Sequence, residues 1–200
     1  GNSLVLTSID GVLQALMGIR DQIRPNVKND LQKLKKLGVK NLVVLSGDNQ
    51  GTVDLVAKEL GLTEARGHML PEDKSAYIEN LKAKGQIVAF VGDGVNDSPS
   101  LALAQIGIAM GSGTDVAIET SDVVLMNSDF SRLPHALGLT KATANNMRQN
   151  IIIAVGVVLV LLASVFFSEW MNMSIGMLVH EASILVVILN GMRLLRYKLR

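Results

Sequence analysis

The stretch QIVAFVGDGVND, residues 86–97, decides the fold, because an apolar run ends abruptly in a loop of glycines, aspartates and an asparagine. A short apolar run bounded by a glycine turn is typical of a buried parallel strand. A similar run, NLVVLSGD, lies earlier in the chain at 41–48. Helical patterns follow both runs. This alternation predicts a doubly wound α/β sheet with its functional residues at the carboxyl ends of the strands.

Proline, glycine and amphipathic spacing predict the other elements of this part of the chain. The predicted helices are 26–38, 50–61, 71–85 and 98–105, and the predicted strands are 41–48, 86–93, 106–111 and 122–126. TSIDGVLQAL, residues 7–16, predicts a strand and a turn. Residues 129–150 predict a helix that runs directly into the apolar segment after it, as a stiff connection.

Charged residues are divided unequally along the chain. Residues 1–148 carry 15 of the 19 Lys and Arg and 16 of the 18 Asp and Glu. The net charge of +1 argues against a nucleic-acid partner. The absence of cysteine excludes disulfides and thiolate metal sites and fits a reducing compartment. We expect a cytoplasmic module, residues 1–148, joined to a membrane module, residues 149–200.

Two apolar segments, at about 150–168 and 175–195, approach the ~20 residues that a helix needs to cross a bilayer. A short connection makes them a hairpin, so both ends lie on one side. Basic residues flank the hairpin and are absent from its connecting loop, which places those ends in the cytoplasm. The alternative is a buried helical hairpin in a large soluble core. We expect a multi-pass protein in a lipid bilayer, in a bacterial cell membrane.

The second apolar segment contains His180, Glu181 and Ser183. Ionisable side chains at mid-membrane depth are costly and mark ion pathways or buried partners. Imidazole, carboxylate and hydroxyl groups on one helical turn are suitable ligands for a borderline divalent cation. We expect these residues to bind a transported cation. The alternative is a hydrogen bond from His180 to a neighbouring helix.

Phosphate- and magnesium-binding residue types follow the predicted strands. Ser46 and Gly47 offer a hydroxyl and backbone N–H groups to a phosphoryl oxygen at a helix N-terminus. Lys74 lies in the first turn of a helix and supplies a mobile ammonium. Asp93 and Asp97 flank a glycine turn and present the oxygen ligands that Mg²⁺ prefers. Together they predict a site for a phosphoryl group and Mg²⁺.

The order of these residues resembles that of haloacid-dehalogenase-like phosphotransferases. The fuller set of motifs resembles the C-terminal part of a heavy-metal-transporting P-type ATPase, over essentially the whole chain: DQIRP (21–25), SGDN (46–49), PEDK (71–74), VGDGVNDSPSLA (91–102), GSGTDVA (111–117) and RQN before two apolar spans. The resemblance implies a partial phosphorylation domain with a haloacid-dehalogenase-like sheet, followed by the last two transmembrane helices. It also implies the use of ATP and Mg²⁺.

The resemblance implies roles for individual residues of the phosphorylation domain. Asp93 would bind Mg²⁺, and Asn96 and Asp97 would complete or orient that site. Lys74 would contact the phosphoryl group and the nucleophilic carboxylate. Ser46, where the family usually has threonine, would donate a hydrogen bond to a phosphoryl oxygen.

The resemblance also assigns residues around the nucleotide. Asp48 would order the site around nucleotide and metal. Asp21 and Arg24 match a segment near the hinge to the nucleotide-binding domain. The GSGTDVA motif is predicted to be structural, a glycine turn at the start of a helix that begins near Asp115.

The nucleophile of the resembled family is an aspartate in an Asp-Lys-Thr-Gly-Thr segment, which this sequence does not contain. Asp10-Gly11-Val12 is similar to a phosphatase motif, but Ser8 occupies the position of the nucleophile. We therefore expect a part of a longer pump that is inactive alone and needs the missing N-terminal part. The alternatives are a membrane-anchored phosphatase of this fold and a non-catalytic regulatory subunit derived from a pump.

The transported ion is expected to be zinc, cobalt, cadmium or iron(II). In the resembled family, the His-Glu pair of the second span is associated with cobalt, zinc or iron(II). Ala182 departs from the glycine that usually follows that pair, and Val158 stands where zinc and cadmium members carry lysine. The choice among these metals stays open.

Overall fold

The computed structural model describes residues 3–19, 22–167 and 172–199. The chain divides into two compact units, Gly1–Pro134 and His135–Arg200. The first contains all the strands found in the described residues, and the second is helical.

An antiparallel hairpin, β1 (Ser3–Ile9) and β2 (Val12–Ile19), opens the first unit. Asp10 and Gly11 form its turn with φ angles of 51° and 80°, and Asp-Gly is a preferred pair for such a two-residue turn. The strand and turn predicted at 7–16 are confirmed. Ser8 therefore lies in this hairpin, outside the parallel strands.

Ten short elements of the first unit, five helices and five strands, alternate along the chain. The parallel pair is β3 (Val43–Leu45) with β4 (Glu64–Arg66), and the parallel three-stranded sheet has the order β5 (Ala89–Gly92), β6 (Ile106–Met110), β7 (Val123–Leu125). The helices are α1 (Val27–Lys36), α2 (Gln50–Leu60), α3 (Pro71–Ala83), α4 (Ser98–Leu103) and α5 (Asp115–Glu119). The α/β class with parallel strands is confirmed.

Three details of the strands differ from the prediction. The strand expected at 41–48 is reduced to β3, Val43–Leu45. The strand expected at 86–93 begins only at Ala89, and Ile87 before it is 81% exposed. The backbone N–H of Val88 donates to the side chain of Gln105 at 2.9 Å instead of to a strand. The short strand β4 was not predicted, because Glu64, Ala65 and Arg66 show no apolar pattern.

A small apolar core lies beneath the three-stranded sheet. Ile108, Met110 and Leu125 are at most 6% exposed, with Val91 and Leu133 packed against them. Helix α3 packs against α4, where Ile78 and Leu101 are each 1% exposed. Burial of these side chains fixes the carboxyl ends of β5 and β6, and hence the loops that follow them.

The second unit contains two long apolar helices. Helix α6 (Arg132–Phe167) has 36 residues, and α7 (Met173–Met192) ends in a 3-10 turn, Arg193–Arg196. Helix α6, and α7 together with this turn, are long and apolar enough to cross a membrane. Helix α6 has no break at residue 150, so the predicted continuous helix is confirmed. Glu169 and Trp170 lie outside the described residues.

A network of amide side chains joins α6 to α7. Asn146 donates to the backbone carbonyl of Asn190 at 2.7 Å, and Asn190 donates to the side chains of Asn150 at 2.8 Å and Gln149 at 3.3 Å. Asn150 in turn donates to Asn146 at 3.2 Å, and Arg193 donates to the Asn190 side chain at 2.8 Å. These bonds fasten the two helices at one end of the hairpin.

The segment after α7 also packs on α6. The Tyr197 hydroxyl occupies the space that a Cβ on Gly138 would need, and a Leu199 methyl would lie 2.9 Å from that Cβ. The Tyr197 ring contacts the His135 ring, with centroids 5.6 Å apart. The chain beyond α7 therefore lies along the first part of α6.

Candidate active site

Lys74 and Asp97 form an ion pair across 23 residues of sequence. Helix α3 begins at Pro71, and Asp73 accepts a hydrogen bond from the Leu70 backbone at 2.9 Å, which stabilises the first turn that carries Lys74. The Lys74 ammonium lies 2.8 Å from Asp97 Oδ1, and the two side chains are 14% and 15% exposed. Two of the predicted site residues therefore meet in a largely buried contact.

The glycine turn after β5 brings Asp93 close to Asp97. The Asp97 N–H donates to the Gly94 carbonyl at 3.0 Å, and the Asp93 N–H donates to Asp97 Oδ2 at 3.4 Å. A Cβ on Gly92 would lie 2.7 Å from the Asp97 Cβ. Glycine is required at 92 because any larger residue would displace the Asp97 side chain.

The exposed carboxylate of Asp93 has no hydrogen bond or ion pair to its oxygens within the part of the chain that the structure describes. Its backbone is held from the next loop, since the Thr114 N–H donates to the Asp93 carbonyl at 3.1 Å. A Cβ on Gly113 would lie 2.9 Å from that carbonyl oxygen. The GSGTDVA motif thus supports Asp93 directly, which the sequence did not predict.

The same motif also begins a helix, as predicted. Thr114 accepts a hydrogen bond from the Ala117 N–H at 3.3 Å, and α5 starts at Asp115. Gly113 and Thr114 also contact the Asp93 backbone. The only sequence signal for that contact was a glycine-threonine pair close to the end of a predicted strand.

Ser46 and Asp48 form a pair at the carboxyl end of β3. The Ser46 hydroxyl donates to Asp48 Oδ2 at 2.9 Å and accepts from the Asp48 N–H at 3.2 Å. The loop before α3 is tied to them, because the N–H groups of Met69 and His68 donate to the carbonyls of Ser46 at 3.0 Å and Asp48 at 2.7 Å. Gly47, between them, is exposed.

Arg24 lies at the same cavity as Asp93 and Asp97. This cavity of about 290 Å³ is lined by Arg24, Val27, Val91, Gly92, Asp93, Asp97, Met110 and Phe130. Arg24 donates to the Ser128 carbonyl at 3.0 Å, which anchors it there. Arg24 therefore lies beside Asp93 and Asp97, and its contribution to the site stays a prediction. Asp21 lies outside the described residues.

The donors present fit a magnesium ion that shares its ligands with a phosphate. The described residues contain no cluster of three His, Asp or Glu that would hold a metal alone. Asp97 already accepts bonds on both oxygens, and Asp93 and the exposed Asn96 remain available. Mg²⁺ commonly takes one or two carboxylates and completes its shell with water and phosphate oxygens. Asp93 and Asn96 therefore fit a magnesium site that is completed by water and phosphate oxygens.

His180, Glu181 and Ser183 lie together on α7. The Ser183 hydroxyl donates to the His180 carbonyl at 2.6 Å and is nearly buried, whereas the His180 and Glu181 side chains are exposed. Neighbouring positions on a helix point about 100° apart, so His180 and Glu181 diverge. Their binding of a transported cation stays a prediction.

A second polar network joins β4 to α3 beside a larger cleft of about 910 Å³. Arg66 lies 2.6 Å from Glu64 Oε1, Tyr77 donates to Glu64 Oε2 at 2.9 Å, and the Arg66 guanidinium lies 4.8 Å from the Tyr77 ring centre. The hydrogen bond from Arg66 lowers the pKa of Glu64, and burial raises the pKa of Tyr77. Sequence spacing gave no signal for this network.

Two family models match the first unit. Both describe haloacid dehalogenase-like hydrolases, over residues 2–105 and 74–137. The first match alone covers slightly more than half of the chain.

Curated relatives are similar over nearly the whole chain. A probable cadmium-transporting ATPase from Staphylococcus aureus (strain MRSA252) is 39% identical over 199 residues, which are 99% of this chain and 27% of the relative. A zinc-transporting ATPase from Bacillus subtilis (strain 168) is 39% identical over 196 residues, 98% of this chain and 30% of the relative. The chain thus spans between a quarter and a third of the length of these relatives.

A solved structure is similar as well. The crystal structure of a zinc-transporting PIB-type ATPase in the E2.Pi state matches with a TM-score of 0.84 and 36% identity. The match covers 98% of this chain and 32% of that chain, so it includes both the α/β unit and the helical pair.

Proposed function

The chain belongs to the haloacid dehalogenase-like hydrolase family, and from that membership we propose that it is part of an ATP-driven pump for divalent heavy-metal cations. The predicted resemblance to the C-terminal part of a heavy-metal-transporting P-type ATPase is confirmed by the relatives and by the solved structure. One observation carries the proposal: a Lys74–Asp97–Asp93 cluster and two span-length apolar helices occur in a single chain.

Phosphoryl transfer requires that the negative charge on the transferred phosphoryl group is neutralised. Asp93 would hold Mg²⁺ together with a phosphoryl oxygen, and Asn96 lies within the same loop to bind its water shell. Asp97 orients the Lys74 ammonium at 2.8 Å, so that Lys74 can face the phosphoryl group. Bound Mg²⁺ would neutralise part of the charge on that group.

The remaining predicted residues would position the phosphoryl group and the nucleotide. Ser46 would turn its hydroxyl from Asp48 to a phosphoryl oxygen, a change of one hydrogen bond. Asp48 and Asp21 would order the nucleotide side of the site. Arg24, anchored on the Ser128 carbonyl, would supply positive charge near Asp93.

The acceptor of the phosphoryl group would be an aspartate on a segment outside these 200 residues. Strand β3 pairs with β4 and β5 pairs with β6, so each has one edge without a strand partner among the described residues. A parallel strand inserted between β3 and β5 would complete one sheet. Its carboxyl end would lie between Ser46 and Asp93, because parallel strands end at the same edge.

The two apolar helices would span the membrane, with the α/β unit in the cytoplasm. His180, Glu181 and Ser183 would contribute to the binding of the transported cation, from the group of zinc, cadmium, cobalt and iron(II). The two relatives described above are named as a probable cadmium-transporting ATPase and a zinc-transporting ATPase, and these names support this group. They do not favour a membrane-anchored phosphatase or a regulatory subunit.

The proposal is tested in the longest protein that contains this chain, reconstituted with lipid. Radiolabelled ATP should give an acid-stable, hydroxylamine-sensitive phosphoenzyme, and Asp93→Asn should reduce it at least tenfold. The isolated 200 residues should not hydrolyse ATP. Magnesium-dependent turnover by the isolated chain, lost in Asp93→Asn, would show that the nucleophile lies within it and would overturn the proposed arrangement.

The cation site is tested separately by two reactions. His180→Ala and Glu181→Ala should reduce metal-stimulated phosphorylation by ATP and leave phosphorylation by inorganic phosphate intact. If both reactions proceed as in the unmodified protein, the assignment of the cation ligands is wrong.

A further inference from the structure

Exposed basic residues collect at one end of the helical hairpin. Arg148 lies on α6, and Arg193, Arg196 and Lys198 follow α7. We call these four residues the basic ledge. Within residues 135–167 and 172–199, the acidic residue is Glu181, which lies about three turns away from Arg193 along α7. Within these two ranges, the ledge is therefore a strongly positive surface with no acidic residue beside it.

The ledge is held in place at its membrane-facing side. The Arg193 guanidinium donates to Asn190 at 2.8 Å, and Asn190 is bonded to Asn146 and Asn150 on α6. Arg148 lies between those two asparagines in sequence. The amide network thus brings Arg193 and Arg148 to the same end of the hairpin.

The ledge is also held at its outer side. Tyr197 occupies the notch at Gly138 and contacts His135. Arg196 and Lys198 flank Tyr197 in sequence, so this contact fixes their backbone along α6. The backbone that carries the four cations is therefore held in place, and less backbone entropy is lost on binding than with a free tail.

Large exposed apolar side chains lie directly beside these cations. Leu195, between Arg193 and Arg196, is 82% exposed, and Ile151 and Ile152, just after Arg148, are 62% and 65% exposed. Charged groups next to exposed apolar groups suit the boundary between lipid headgroups and acyl chains. A free phosphate ion would use the cations alone and leave the apolar side chains in water.

We propose that the basic ledge binds the phosphate groups of anionic phospholipids in the leaflet that it meets. This inference rests on the hairpin spanning a membrane, as in the proposed function. Basic clusters immediately beside a membrane span attract anionic headgroups, each Lys or Arg raising association by about fivefold. Arg193 and Arg148 lie on different helices, so one headgroup contacting both would bridge α6 and α7.

The test uses the full chain in vesicles of phosphatidylcholine with trace spin-labelled phosphatidylglycerol or spin-labelled phosphatidylcholine. The motionally restricted fraction of each probe gives the relative association constant. We expect the anionic probe to be preferred. We expect the preference to fall to about unity in Arg148→Gln/Arg193→Gln/Arg196→Gln/Lys198→Gln, because all four charges of the ledge are removed. High salt should reduce the preference, whereas millimolar inorganic phosphate should not.

The matched control removes four exposed charges from the first unit, as Lys28→Gln/Lys36→Gln/Lys40→Gln/Lys58→Gln, and should keep the preference. Circular dichroism establishes that both variants fold. Equal association of the two probes with the unmodified chain overturns the inference, as does a preference that survives loss of the ledge. Displacement by inorganic phosphate would show a free-anion site instead. A chain that fails to float with vesicles would refute the membrane assignment itself.

Discussion

The Lys74 ammonium lies 2.8 Å from Asp97 Oδ1, although Lys74 lies on α3 and Asp97 lies in the turn after β5, 23 positions further along the chain. Asp97 also accepts, on its other oxygen, a long hydrogen bond of 3.4 Å from the Asp93 N–H. One carboxylate therefore positions both the cation and the backbone of the exposed aspartate. Lys74, Asp93 and Asp97 form a single unit, and removal of Asp97 should affect all three.

Asp97→Asn should lower the free energy of unfolding of the chain by about 1–3 kcal/mol, because the largely buried Lys74 ammonium loses its charged partner. The measurement is urea denaturation in lipid nanodiscs, followed by circular dichroism. Lys74→Met and the double variant complete a thermodynamic cycle. Additive effects of the two substitutions would contradict the coupling expected for residues in contact.

Gly92→Ala should destabilise the chain by about 1–3 kcal/mol, since the new Cβ would lie 2.7 Å from the Asp97 Cβ. Gly94→Ala is the matched control in the same loop. Gly94 has a φ of −111°, and the nearest atom to its Cβ would be 3.9 Å away. The control should change stability by less than about 0.5 kcal/mol. Equal losses of unfolding free energy in both variants would mean that contact of the new Cβ with Asp97 is not the cause.

Glu64→Gln should lower the melting temperature near neutral pH and have little effect in acid. The hydrogen bond from Arg66 lowers the pKa of Glu64 below its ordinary 4.5. The ionised carboxylate therefore contributes stability above pH 4.5, and this contribution is lost as the pH falls through the folded-state pKa. The measurement is the melting temperature from about pH 3 to pH 7.

The control for Glu64 is Glu59→Gln, which removes an exposed acid from α2. Its melting curve should follow that of the unmodified chain at every pH. A Glu64→Gln effect that does not vary with pH would show that the charge of Glu64 is not what stabilises β4 against α3.

Asn190→Leu should weaken the association of α7 with α6 by about 1–2 kcal/mol. The amide group of Asn190 bonds to Gln149, Asn150 and Arg193. Interhelical hydrogen bonds in membranes contribute about 0.6 kcal/mol each. The measurement is the detergent fraction at which the helical pair unfolds in mixed micelles. Asn145→Leu, at an exposed position beside the network, should have no such effect. If the two variants unfold together, the network does not stabilise the pair.

Four of the five parallel strands, β3, β5, β6 and β7, could be predicted because each lies within a short apolar run. The runs at 106–111 and 122–126 correspond to β6 and β7 within about a residue at each end. The polar strand β4 could not be predicted this way. Its side chains are satisfied by tertiary contacts, such as the hydrogen bond from Tyr77 to Glu64, and these contacts depend on where α3 crosses the sheet.

The candidate site, like the strands, could be predicted from the sequence only in part. Spacing and residue type indicated Ser46, Lys74, Asp93 and Asp97 separately, because each follows a strand or begins a helix. The Lys74–Asp97 pair and the contact of Gly113 with Asp93 arise from the packing of α3, α4 and the loop after β6. Long-range packing of this kind leaves no local pattern in the sequence.

The fastening between α6 and α7 is built almost entirely from uncharged amides, with Arg193 as its one charged member. Groups without net charge interact much more weakly than charges with a transmembrane voltage, and added electrolyte screens hydrogen bonds between them very little. The packing of α6 against α7 should therefore stay the same when the transmembrane voltage changes. A cation that moves past these helices would then meet the same surface at every voltage.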